Sequence, residues 1–532
     1  MQRLKFLRMN IKFKTIWILF FLILIVKQLA WIAFIPLWQF PDEQAHFAQV
    51  QNLVEASSKT GEERATTSRE IYESEVILGT DRNDLGNNNY TYHPEFNIEY
   101  TDTTEGKFES VIKSFPNEYR SDRVIREATG YPPLYYQLDS LLYRLVYNSD
   151  LINRVFFARL INIFLFGFFT IVIYRIGLEL FNSKYFSLLF TVMVTFHPML
   201  SYISCGVNSD NLFNLLFAVG ILLSLRLLNR GWQVSTVLLM FIILFLIMKT
   251  KPHGVLLALL YLFPVCYLLI KGRRAWIKYV LVFSVLLFFA FGSPLRSLIQ
   301  GEQFLPEIGP LQDMPPLSFD GFFAHLRQKI VLSYRLILPW YWGVFRWLSL
   351  TYPRAVHRII NLVILFGGIG LLLAIHNVIC FRAKSMLKSK LFFFLIYASA
   401  IYFFILTSYD YLFTQTYGFS FGFQGRYFFP VISAHMALLL IGIKTLFSTF
   451  KISMKFLKCL GLAMIGLHFY AHYFVSASYY AAVTLGQSFR FASQYKPLFF
   501  KSPYLEIISI LLLILYGLFS YKFLQVRYDK EN

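Results

Sequence analysis

The stretch "TIWILFFLILIVKQLAWIAFIPLWQFPDEQAHF", residues 15–47, decides the fold. It runs apolar from Thr15 to Leu37, long enough to cross the ~30 Å hydrocarbon core of a bilayer as one helix. The apolar run is too long for a signal-peptide core and has no A-x-A-like cleavage site, so it reads as a retained first span. Directly after it, Asp42, Glu43 and His46 fall within five residues of one another. Pro41 suits a first helical position, and acids just behind it favour the positive end of the helix dipole. Phe47, Val50 and Val54 then recur at helical spacing, with Asp42, His46 and Gln49 on another face. The segment predicts an interfacial helix with its apolar side towards lipid.

The whole chain fits that start. Of 532 residues, 56% are apolar and only 15% charged; a soluble chain of this length would carry nearer a quarter charged residues. Twelve apolar runs qualify as spans, near 15–37, 154–178, 185–204, 210–228, 232–250, 253–270, 275–293, 358–380, 391–410, 426–447, 457–478 and 503–523. The expectation is an all-α integral membrane protein of about twelve transmembrane helices. Twenty of the 30 acidic residues lie between Asp42 and Asp150, so the rest of the chain is strongly basic and the net charge of +20 reflects topology. With the N-terminus inside, the basic stretches 271–278, 381–390, 444–455 and the C-terminal tail all fall inside, as the positive-inside rule requires. No basic stripe with interleaved aromatics suggests nucleic acid. Cys205, Cys266, Cys380 and Cys459 have no paired spacing that would point to a disulfide framework or metal clip.

The predicted organisation is a cytoplasmic N-terminus (1–14), the first span (15–37) and a large extracytoplasmic loop with interfacial helices (38–153). Spans two to seven (154–293), a second extracytoplasmic loop (294–357), spans eight to twelve (358–523) and a cytoplasmic tail (524–532) follow. The absence of an internal repeat weighs against a two-halves transporter.

Asp42, Glu43 and His46 together place a carboxylate pair and an imidazole at the outer membrane boundary. A carboxylate oriented by an imidazole can take a proton from a hydroxyl nucleophile, although first-turn acids are also ordinary caps. H-E-x-x-H is absent, so no metal ligands are assigned. Further charges sit near other predicted outer ends: Asp210, Lys249, Lys251, Arg335, Arg346 and Arg426. Lys249 and Lys251 also break the positive-inside rule, and anion binding in a wet cavity is one reason for cations there. Arginine offers a planar fork for phosphate oxygens, lysine a point charge. Alternatives stay open: Arg426 as a cap or snorkel, Arg346 stacked on Trp342 or Trp347, Asp210 as a first-turn acid. Lys27, mid-span, calls for a cavity or partner. Tyr131, Tyr135 and Tyr136 suit stacking on a sugar or isoprenoid, or anchoring at the interface.

In order, "PDEQAHF", "YPPLYY", "GVNSDNL", "KTKPHG" and "QGRYFFP" resemble a family of bacterial polytopic membrane proteins placed within the GT-C glycosyltransferase superfamily, over residues 15–450 or so. The resemblance implies a GT-C-like fold in the bacterial cytoplasmic membrane and transfer of a sugar, with inversion, from a polyprenyl-phosphate carrier. The acceptor would be a glycan, lipid or protein on the extracytoplasmic face. Asp42 then becomes the base, with Glu43 its alternate and His46 beside it. Arg426, Lys251, Lys249, Arg335 and Arg346 become candidates for the donor phosphate, and Asp210, Tyr131, Tyr135 and Gln424 for substrate contacts. No cofactor is expected; the adjacent "DE" differs from the spaced acidic motif of metal-dependent members, which leaves a divalent metal open. A surface-polysaccharide polymerase or ligase, and a transporter or flippase of lipid-linked glycans, are the alternatives.

Overall fold

A computed structural model describes residues 2–55, 66–81, 90–96, 98–101, 107–125, 130–271, 318–380, 389–420 and 422–526. The predicted span 275–293, the basic loop 271–278 beyond Lys271, the start of the second long loop (294–317), most of 381–390 and the last six residues lie outside them. Among the described residues, nine helical segments are long and apolar enough to cross a membrane: Thr15–Phe34, Leu151–Phe181, Asp210–Arg230, Pro252–Lys271, Arg354–Cys380, Ser389–Tyr417, Gly425–Thr449, Leu457–Tyr480 and Tyr504–Gln525. The chain is a mostly helical, multi-pass membrane protein.

In chain order the first part is α1 (Gln2–Phe34), α2 (Glu43–Glu55), α3 (Arg69–Leu78), α4 (Lys107–Lys113), α5 (Glu118–Ser121), α6 (Leu134–Leu145) and α7 (Leu151–Phe181). Next come α8 (Lys184–Thr195), α9 (Pro198–Ile203), α10 (Asp210–Arg230), α11 (Val234–Met248) and α12 (Leu256–Lys271). The remainder is α13 (Phe319–Leu332), α14 (Leu338–Trp342), α15 (Arg354–Cys380), α16 (Ser389–Tyr417), α17 (Ile432–Thr449), α18 (Leu457–Tyr480), α19 (Leu485–Ala492) and α20 (Tyr504–Gln525). Two of the twelve predicted runs form shorter apolar helices. The run 185–204 is split because Pro198 disfavours helical backbone before it, so α8 stops at Thr195 and α9 starts afresh with His197 as its cap. The run 232–250 becomes α11 of 15 residues, about 22 Å of helix at 1.5 Å per residue.

Helix α10 is central: 83% of its apolar window is buried, against 22% for peripheral α15. Helices α15 and α17 cross through glycine. A Cβ on Gly370 would stand 1.9 Å from the Gly442 carbonyl oxygen, and one on Gly442 2.0 Å from that of Gly367. Small residues there let two backbones touch where lipid supplies no hydrophobic drive. On the other side α1 packs on α20, with Phe20 stacked on Phe519 at 5.3 Å. Lys27 finds its partners inside the bundle: it donates to Ser201 Oγ at 2.9 Å and Gln28 Oε1 at 3.3 Å, under the Phe166 ring at 4.5 Å.

The described parts of the long first loop form a layer over one end of the bundle. A short antiparallel pair joins β1 (Thr66–Ser68) to β2 (Arg123–Ile125), with Thr67 opposite Val124. Buried arginines of α7 hold the layer down. Arg154 forks onto Glu70 at 2.8 and 2.6 Å and reaches the Tyr143 hydroxyl at 2.7 Å. Arg159 forks onto Glu43 at 2.8 and 2.6 Å and donates to the carbonyls of Ile35 and Pro36. Helix α2 therefore differs from the expected half-exposed interfacial helix. Glu43 through Ala48, Val50 and Gln51 are all buried, because its polar face meets α6 and α7 where water was expected.

Candidate functional site

Span one ends at Phe34, and the chain then turns sharply. Trp38 and Asp42 both take positive φ, 60° and 58°, a region aspartate tolerates better than most residues. The helix begins at Glu43, two residues later than Pro41 suggests, and Asp42 is the residue before it, its carbonyl accepting from the His46 amide. The 204–209 loop presses against this turn. A Cβ on Gly206 would lie 2.4 Å from Phe40, the Asn208 side chain donates to the Pro41 carbonyl at 3.3 Å, and Asn208 Oδ1 accepts from the Asp210 amide at 2.9 Å. Asp210 is thereby set at the start of α10. Lys251 follows α11 just before Pro252, and the Lys249 carbonyl accepts from the Leu134 amide at 3.1 Å, tying this turn to α6. Gly425 packs on α14: a Cβ there would sit 2.2 Å from the Tyr341 nitrogen. Only glycine fits that approach, and it brings Arg426 to the bundle end.

Four segments thus deliver the charged groups of one cluster, and the stretch 131–136 adds two tyrosines to it. Arg426 Nη2 donates to Asp42 Oδ2 at 2.8 Å, and Lys251 Nζ to Asp210 Oδ1 at 2.5 Å. His46 Nδ1 is 2.8 Å from the Tyr136 hydroxyl, and its ring lies nearly parallel to those of Tyr131 and Tyr136. The Lys251 ammonium also stands 4.5 Å over Tyr131, and the Arg426 guanidinium 5.4 Å from Tyr427. Exposure is asymmetric. The cations are nearly closed off (Arg426 8%, Lys251 10%), whereas Asp42 keeps 38% and Asp210 25%. The carboxylates cover the cations from the accessible side.

Electrostatics follows from that packing. Burial, then the Lys251 ammonium, pull His46 down to about 3, so the imidazole is neutral at ordinary pH. Burial works against the charge on Lys251, but Asp210 and Tyr131 more than offset it, and its pKa is raised. Two carboxylates, two cations and a neutral ring sum to zero. An entering anion gains most by taking the place of a carboxylate on a cation.

The other expected site residues go elsewhere. Glu43 is fully buried on Arg159 and also accepts from the Val207 amide, so it is a structural anchor and no alternate for Asp42. Tyr135 is buried, donating to Asn162 Oδ1 at 3.2 Å and accepting from the Asn208 amide at 3.1 Å, and offers no face to a substrate. Lys249 is exposed over the Phe245 ring. Arg346 donates to the Ser478 carbonyl at 2.6 Å and lies over Tyr479 at 4.7 Å, its stacking partner being this tyrosine in place of Trp342 or Trp347. Arg335 is exposed within a π-helical turn, Ser333–Ile337. Gln424 is half-buried and precedes the turn that carries Arg426. Residues the sequence did not single out include Arg159 and Tyr427; Arg159 lies with Arg154 in the first turns of a long, mainly apolar span, and charges inside a span were a usable signal. Among the described residues no group of three or more His, Cys, Asp or Glu converges as metal ligands would.

A family model described as "Predicted membrane protein (DUF2142)" matches residues 22–434. Among solved structures, the crystal structure of ArnT from Cupriavidus metallidurans bound to undecaprenyl phosphate is similar at a TM-score of 0.43 and 13% identity, over 96% of this chain and 76% of that one. No curated protein matches the chain.

Proposed function

We propose that this chain, which belongs to the DUF2142 family of predicted membrane proteins, is a glycosyltransferase that moves a sugar from a polyprenyl-phosphate carrier to an acceptor on the extracytoplasmic face of the bacterial cytoplasmic membrane. The observation that carries it is the contact of Asp42 with Arg426, 384 residues apart, at 2.8 Å, beside the Asp210–Lys251 pair at one bundle end.

The roles follow from charge. The donor's phosphodiester, a monoanion, displaces Asp42 from Arg426 and is held there and by Lys251. Freed, the Asp42 carboxylate accepts the proton of an acceptor hydroxyl as its oxygen attacks the anomeric carbon from the face opposite the phosphate. The new C–O bond forms, the anomeric carbon–phosphate oxygen bond breaks, and the polyprenyl phosphate leaves with the electron pair. One further negative charge develops on the phosphate in that step. Arg426 and Lys251 stabilise it more in the transition state than in the ground state, which is what accelerates the reaction. Neutral His46, fixed by Tyr136 and the flanking rings, adds no charge to the wall of the site, and Lys251 meets the phosphate while it keeps Asp210. Tyr131 presents a ring to the sugar.

The experiment is transfer by the purified chain in liposomes supplied with polyprenyl-phosphate sugars, paired with mass spectrometry of surface glycans from cells with and without the protein. Formation of an inverted glycosidic product and a missing sugar in the deletion strain are expected. Intact donor across a panel of sugars, with unchanged glycans, refutes the proposal.

A further inference from the structure

A second cleft, of about 590 Å³, opens between α4, α19 and the start of α20. It falls within the ~300–1,000 Å³ range of small-molecule sites. Every residue that lines it carries a polar side chain apart from one glycine: Lys113, Arg490 and Lys501 face Glu109 and Glu506, with serines such as Ser493 and Ser502 between them. Among the described residues that line it, none is an aromatic platform for a sugar ring. Glu109 is already shared, accepting from Lys113 Nζ at 2.5 Å, Lys501 Nζ at 2.6 Å and the Tyr495 amide at 2.8 Å. Each ammonium has three donors, so both lysines keep donors for a further acceptor, and Arg490 is exposed beside them.

Position supplies the second observation. The Lys496 ammonium donates to the Ala33 carbonyl at the end of α1, which fixes this segment at the bundle end that carries Asp42. The cleft is therefore at a membrane boundary. Its neighbours Val483, Leu485, Leu498 and Tyr504 are exposed apolar residues, suited to the upper acyl region. Directly below, Ile507, Leu511 and Ile514 form an exposed stripe on α20 at i, i+4 and i+7, one face of a helix.

We propose that this cleft binds the phosphate of an anionic lipid headgroup, whose acyl chains lie along the α20 stripe. Lys501 and Lys113 meet the phosphate oxygens while holding Glu109, Arg490 closes the outer side, and Ser493 and Ser502 meet headgroup hydroxyls. The site uses none of the residues of the Asp42 cluster.

The test is native mass spectrometry of the full chain released from nanodiscs of phosphatidylcholine with or without phosphatidylglycerol, plus an arm with inorganic phosphate alone. One phosphatidylglycerol is expected to survive delipidation where phosphatidylcholine does not, and inorganic phosphate at millimolar concentration should not displace it. Arg490→Gln and Lys501→Gln should each weaken retention about fivefold, the worth of one basic side chain at an anionic surface. Arg490 is exposed, so its variant keeps the test valid even where loss of the Lys501–Glu109 bond unfolds the second. Equal retention of the two lipids, unchanged retention in Arg490→Gln, or displacement by inorganic phosphate overturns the proposal.

Discussion

Asp42→Asn separates chemistry from architecture. Asn tolerates the positive φ of 58° at this position as Asp does, while Ala would add roughly 1–2 kcal/mol of strain. The amide oxygen still accepts from Arg426. Because Asp42 is 38% exposed, the ion pair it loses contributes under ~1 kcal/mol to folding after solvent screening. The fold should therefore survive with a nearly unchanged melting temperature. Removing a general base typically costs 10²–10⁴ in rate, or ~3–5 kcal/mol of barrier. Arg426 is no longer held by a carboxylate, so donor binding should stay equal or tighten. The assay is steady-state sugar transfer in proteoliposomes, with kcat and KM for the donor fitted separately. A fall in kcat of about 100-fold or more with no rise in KM is expected. A kcat within about threefold of the parent refutes Asp42 as the base.

Arg426→Ala should raise the donor KM by about 10–100-fold, as expected for loss of a charged hydrogen bond worth ~1.5–3 kcal/mol, and Arg426→Lys should restore part of it; identical behaviour of the two would exclude a forked phosphate contact. Glu43→Gln strands Arg159 in a fully buried pair, so thermal unfolding in detergent should show a loss of ~3–5 kcal/mol, whereas the double change Glu43→Leu with Arg159→Met should be far milder. An inactive but fully stable Glu43→Gln would return Glu43 to the site. His46 binds its proton less readily in the fold, dropping from 6.5 to about 3, so the unfolded chain carries more protons between those values and stability should fall as pH drops through that window. His46→Gln should flatten that slope, and an unchanged pH profile would contradict the buried neutral ring. Gly425→Ala, whose new carbon meets the Tyr341 nitrogen at 2.2 Å, should reduce transfer with the donor KM most affected; normal kinetics would mean that Arg426 is not placed by that packing.

Much of the bundle and part of the cluster were readable in the chain. Apolar runs locate spans because hydrocarbon demands them, and charges clustered at span ends mark Asp42, Asp210, Lys251 and Arg426. The partner of each charge was not readable. Asp42 and Glu43 are adjacent, yet one faces Arg426 and the other Arg159, a difference set by the turn at Trp38–Asp42 and by an arginine 116 residues away. Lys249 and Lys251 differ only by two positions at a helix end, where a change of backbone direction sends one outward and the other onto Asp210. Arg346 finds the Ser478 carbonyl, a backbone acceptor with no sequence signature. Burial of α2 was missed because its polar face finds protein partners, and helical periodicity records polarity without saying whether water or protein satisfies it.

The most direct measurement is a cryo-EM structure of the chain with a polyprenyl-phosphate donor bound. Phosphate oxygens are expected within hydrogen-bond distance of Arg426 and Lys251, with Asp42 released from Arg426 and turned towards the anomeric carbon. Donor bound elsewhere, with the 2.8 Å Asp42–Arg426 contact intact, would contradict it.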